Sequence, residues 1–117
     1  MASMHLSLWV AFLSATMMAQ ANPVPFLNDP LVPTRTAPGG REFRLVVNGT
    51  GFVRGSVVRW NGRRRKSQFI NTSQLSATIL VSDIATPKTA SVTVVNPAPG
   101  GGASNPVFFQ VASSRKT

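Results

Sequence analysis

The 117-residue sequence has no cysteine, no tyrosine, one histidine and three acidic residues. Without cysteine there is no disulfide, no thiolate metal site, no cysteine nucleophile and no lipid-modified cysteine. With a single imidazole, His5, no zinc site of histidines and cysteines can be assembled. Three carboxylates, Asp29, Glu42 and Asp83, offer little for glycoside cleavage or calcium binding. Their ordinary uses are a solvated Glu42 beside an arginine and turn positions for Asp29 and Asp83, whose side chains bond their own backbone. Helical periodicity is missing too. No window of roughly 11–18 residues keeps apolar positions at i, i+3, i+4 and i+7 without meeting Gly or Pro. No catalytic residue, cofactor or metal is expected.

What the chain does have is cation and aliphatic surface. It carries 12 Lys+Arg, a formal net charge of +9 and 43% hydrophobic residues. That apolar share excludes global disorder despite the charge, and the length allows one domain with one core.

Residues 6–18 are uncharged and apolar. The stretch is shorter than the about 20 residues of a spanning helix. It is followed by Ala19-Gln20-Ala21, a small-x-small pattern of the kind cleaved from export signals. Residues 1–21 therefore read as a signal peptide, with Asn22 as the first mature residue and a secreted, periplasmic or cell-surface location. The opening residues MASMH lack the basic charge usual in such leaders. An apolar helix packed on the domain, or an uncleaved anchor, is the competing reading. Cleavage removes His5, after which no Ser-His-Asp or Cys-His arrangement can form and no membrane span remains.

From Asn22 onward the pattern is one of short strands. Phe43, Leu45 and Val47 alternate with polar neighbours, as do Val58 and Trp60, then Leu75, Ala77 and Ile79, then Ala90, Val92 and Val94, and finally Val107, Phe109 and Val111. Such Val-, Thr-, Ile- and Phe-rich runs suit a pleated surface covered on one side. One apolar face per strand predicts an all-β fold, two antiparallel sheets packed face to face, with Trp60 central in the core. Asn61-Gly62 is a two-residue hairpin signal. Residues 22–40, with Pro23, Pro25, Pro30, Pro33 and Pro38, form a lead-in that supplies an interrupted first edge strand. The rest of the sandwich spans residues 41–112, and 113–117 are a basic tail. The Pro- and Gly-rich segment 96–102 is expected to stay unpaired at one end.

Three stretches carry a family resemblance. Gly49-Thr50-Gly51-Phe52 is followed by Gly55-Ser56-Val57-Val58-Arg59-Trp60-Asn61-Gly62. Later come Asn96-Pro97-Ala98-Pro99-Gly100-Gly101-Gly102-Ala103-Ser104-Asn105. In this order and spacing they resemble the IPT/TIG domain, the immunoglobulin-like module shared by plexins and transcription factors, in its bacterial extracellular form. The resemblance covers about residues 23–112 and implies an immunoglobulin-like β-sandwich in which Gly49 and Gly51 let a strand bend, Phe52 plugs the interior and Trp60 is the core aromatic. It also implies a non-catalytic spacer, adhesion or carbohydrate-associated module, usually joined to other domains of a larger protein. The near-isolation of the module behind its leader, and its basic charge, depart from that pattern. A truncated accessory domain of a larger secreted protein is the corresponding alternative.

The sharpest remaining feature is Arg63-Arg64-Arg65-Lys66, four consecutive cations after the Asn61-Gly62 turn. Placed at a hairpin tip, they form a candidate polyanion site for a polysaccharide, another cell-surface polymer or lipid head groups. The plain alternative is a solvated loop. Trp60 and Phe69 have inward parity and supply no stacking surface, which argues against specific nucleic-acid recognition. Gly100-Gly101-Gly102 lacks the strand-to-helix context of a phosphate cradle. Asn48-Gly49-Thr50 and Asn71-Thr72-Ser73 match the glycosylation pattern, as turn-rich sequences do by chance.

Overall fold

The computed structural model describes residues 20–113, so residues 1–19 of the expected leader and 114–117 of the basic tail lie outside the described residues. Ten strands account for nearly all of the regular structure: β1 (Phe26–Leu27), β2 (Arg35–Thr36), β3 (Phe43–Thr50), β4 (Val57–Trp60), β5 (Arg63–Arg64), β6 (Ser67–Asn71), β7 (Gln74–Ile79), β8 (Lys88–Asn96), β9 (Gly102–Ala103) and β10 (Val107–Val111). Among the described residues the single exception is a 3-10 turn over Val81–Ile84. No helix among the described residues is long and apolar enough to cross a membrane.

The strands form two sheets. A four-stranded sheet runs β1-β3-β7-β6; a six-stranded sheet runs β2-β10-β8-β4-β5, with β9 on β8. Register follows the alternation in the sequence. Leu45 lies opposite Ala77 and Val47 opposite Leu75 in the first sheet. In the second, Val58 faces Val94, Trp60 faces Val92, and Phe109 faces Ala90. All of these side chains are buried in one hydrophobic cluster. A one-residue slip in any ladder would turn its whole apolar set to water, so burial fixes the register. At the centre the Phe109 ring lies 5.3 Å from Trp60, tilted 54°, and 5.7 Å from Phe43. Phe52, in the turn after β3, is also fully buried.

Three features differ from the sequence expectation. The sheets are not wholly antiparallel, because β2 pairs parallel to β10, Arg35 with Gln110 and Thr36 with Val111. The lead-in pairs with β3 through β1 and again at Val32, whose amide and carbonyl both bond Val46, then leaves that sheet at Pro33 and joins the edge of the other. Pro33 has no N–H to continue the β3 ladder beyond Val32, and the direction of β2 follows from crossing without reversing. Second, segment 96–102 does pair: Gly102–Ala103 lie against Val95 and Asn96, and Gly100 bridges Asn22. Gly100 and Gly101 adopt φ of 69° and 71°, and a Cβ on either would sit within 2.6 Å of a backbone oxygen. Only glycine allows a reversal this tight. Third, Gly49 is not a bend but an ordinary position inside β3 where β1 passes so close that a Cβ would meet the Phe26 carbonyl oxygen.

The alternation also hid one strand. β6 has mostly exposed side chains and a bulge between Phe69 and Asn71, the mark of an edge strand protected against further pairing. Its Phe69 is half-buried against the core, with the Arg54 guanidinium 5.1 Å over the ring.

Candidate functional site

The basic segment begins at the β4–β5 hairpin. Asn61 and Gly62 have φ of 50° and 83°, the left-handed pair that a tight hairpin of this twist requires. Asn61 also extends the β4–β8 ladder. Its amide donates to the Ser91 carbonyl at 2.8 Å, and its side-chain oxygen accepts from the Ser91 amide at 2.8 Å. The tip is thereby tied to the middle of the sheet.

Strand periodicity then divides the four cations. Arg63 lies opposite inward-facing Trp60, whereas Arg64 lies opposite outward-facing Arg59. Arg65 turns to the same side as Arg63 and is not free. Its Nε donates to Asp83 Oδ2 at 2.7 Å, its Nη2 pairs with Asp83 Oδ1, and its Nη1 reaches the Arg64 carbonyl at 2.8 Å. Both side chains are nearly buried, at 11% and 5% exposure. Lys66 lies beyond, where the chain crosses to the other sheet, and lines an open cleft of about 290 Å³ with Arg44 and Gln68. The expected single patch of Arg63, Arg64, Arg65 and Lys66 is therefore corrected. The run points in three directions, because consecutive residues of an extended chain alternate sides and the segment changes sheet within it.

Asp83 is held in place by more than Arg65. Its Oδ2 accepts from the Leu80 amide at 2.9 Å, closing the 3-10 turn. Burial pushes the Asp83 carboxyl up, but hydrogen bonds from Arg65 and Leu80, helped by the charges of Arg65 and Lys88, outweigh it and hold the group below the usual carboxylate range. Hydrogen bonds to Asp83, helped by the Asp83 charge, raise the Arg65 guanidinium further, against its own desolvation. This bidentate pair joins the hairpin to the segment between the two sheets.

Arg59 and Arg64 face each other with no acidic partner among the described residues. They are cross-strand neighbours on the outer face, a placement that is destabilising for like charges. Arg59 Nε is covered and has no hydrogen-bond partner among the described residues. Arg59 and Arg64 line a shallow groove of about 130 Å³ with Val57, Val95 and Pro97. Sequence parity placed Arg59 outside, but only the register put Arg64 beside it.

The remaining motif residues make folding contacts. The Asn96 side chain, buried at 2% exposure, donates to the Pro23 carbonyl at 2.9 Å and the Gly51 carbonyl at 2.7 Å, and accepts from Ser56 Oγ. Pro97 packs near Gly55. Asn105 acts as a missing strand for β1, accepting from the Leu27 amide at 2.8 Å and donating to its carbonyl at 3.0 Å. Replacing Asn96 by Ala orphans two carbonyls and a hydroxyl in the interior. It is expected to cost about 1–3 kcal/mol, read as a lower urea midpoint with an unchanged slope.

The aromatics are not all buried, and Phe108 faces out as its alternation with Phe109 requires. Phe26 and Phe108 are 54% and 59% exposed. They stand on different sheets, β1 and β10, and so make no row for stacking on a neutral sugar. No group of three or more His, Cys, Asp or Glu that could hold a metal occurs among the described residues. No protein-family model matches the chain, and no curated protein does.

Proposed function

We propose that the chain is an exported, non-catalytic, immunoglobulin-like module of the IPT/TIG type that serves as a structural spacer or as an adhesion and interaction domain. The observation that carries this reading is the convergence of its three sequence motifs. Gly51, Ser56 and Asn96, one from each stretch, meet in a single buried hydrogen-bond cluster that also takes in Pro23. Residues that recur together in a module and are satisfied by one another serve its folding, not a reaction. Asp83, bound to Arg65, is unavailable as a general acid or base. The export part is supported by where pairing starts among the described residues: their first bridge is at Asn22, so cleavage after Ala21 would leave every described ladder intact.

The test is expression of the full chain in a secreting bacterium, followed by N-terminal sequencing of the protein from medium, periplasm and cytosol. The expected product outside the cytosol starts at Asn22. Recovery only from the cytosol, starting at Met1, would overturn the export reading.

A further inference from the structure

We infer that Arg59 and Arg64 form an oxyanion site on the outer face of the six-stranded sheet, and that its ligand is an acidic polysaccharide. The two arginines are paired directly across the β4–β5 ladder and line one groove. None of the strands of that sheet, β2, β10, β8, β4, β5 or β9, contains an Asp or Glu. The repulsion between the pair therefore has no internal remedy on this face. A sulfate or carboxylate placed over both arginines supplies it, and gives acceptors to two planar guanidinium donor sets.

The groove also favours one class of polyanion. Its floor is aliphatic, formed by Val57, Val95 and Pro97, and no aromatic ring lines it. The exposed ring nearest in topology, Phe108, stands on β10 with β8 between it and β4. Single-stranded nucleic acid depends on ring stacking for much of its binding, whereas an acidic saccharide is held through its charged substituents. The site needs neither export nor the IPT/TIG assignment, so it stands apart from the reading above.

The experiment uses the full chain and a heparin decasaccharide, titrated at low and moderate salt, with a single-stranded thymidine 20-mer as second probe. Arg64→Glu and Arg63→Glu leave the same net charge but alter opposite sides of β5. Arg64→Glu is expected to weaken heparin binding by about tenfold or more, because it removes a charge-assisted contact and occupies Arg59 with an internal carboxylate. Arg63→Glu should change it by no more than about threefold, the long-range part alone. Arg59→Gln, which introduces no new charge, should weaken it comparably while the thermal midpoint holds, and should reduce the log–log salt slope by about 1. Equal losses in the two Glu variants, or no heparin binding by the unaltered chain, would overturn the site. Tighter binding of the thymidine 20-mer would overturn the polysaccharide as ligand. A processed protein that ignores heparin sinks this site and leaves the export reading standing.

Discussion

Arg65→Met is expected to lower the stability of the fold by about 3–5 kcal/mol, because it leaves the Asp83 carboxylate buried without its counter-ion. Asp83 is 5% exposed and holds both the hairpin and the 3-10 turn. Changing both partners, Arg65→Met with Asp83→Leu, should recover most of the loss, since an apolar pair in the same space leaves no buried charge. The pH dependence separates this account from simple loss of packing. In the unaltered chain the folded Asp83 carboxyl titrates below the usual carboxylate range, held there by the Arg65 and Leu80 hydrogen bonds against its burial. Its contribution is therefore fully present above about pH 4 and is lost as pH falls through the lower, folded value. In Arg65→Met burial acts with less opposition, and that acid-side loss should shrink or disappear. Urea unfolding between pH 2.5 and 7 measures both effects. An Arg65→Met variant within about 1 kcal/mol of the parent, the range of an exposed pair, would remove the buried-pair argument.

Trp60→Ala is expected to cost a similar amount, about 3–5 kcal/mol, by opening a cavity where the two sheets meet. The indole is 2% exposed and its ring lies 5.3 Å from Phe109, which in turn stacks on Phe43. The loss should propagate through that row of rings instead of remaining at one strand. Trp60 Nε1 is buried and has no hydrogen-bond partner among the described residues. The value of the residue is thus its hydrophobic area and ring contact, not its polar group. Trp60→Phe keeps a ring beside Phe109 and removes the unpaired donor, so it should retain most of the stability. A Trp60→Phe variant as unstable as Trp60→Ala would contradict this, as would near-UV circular dichroism of the parent showing a mobile indole.

These two side chains differ in how readily the sequence reveals them. Trp60 stands two residues from Val58 in a β-rich run beside Asn61-Gly62, so its inward direction follows from period-two alternation and its position from the turn. Arg65 stands among four adjacent cations and looks like its neighbours. Its partner lies 18 residues away, after two strands and a change of sheet. No local pattern encodes that meeting. The same holds for Asn96, which reaches Gly51 and Pro23 across 45 and 73 residues of chain. Its place in a stretch with a family resemblance marked it, but its role came from the contacts.

Composition and alternation alone determined that this chain is all-β, that its core is aliphatic with a Trp–Phe centre, and that thiol chemistry is excluded. Each of these depends on residue type and on the side to which a side chain points, which are local properties of an extended backbone. Tertiary structure decided the rest. It set the parallel crossing of β2, returned the glycine-rich loop to the sheet, divided the cationic run, tied Arg65 to Asp83 and left Arg59 beside Arg64. Those outcomes depend on which strand edges remain open once the apolar faces are buried, and on distances between residues far apart in the chain, which no periodicity records.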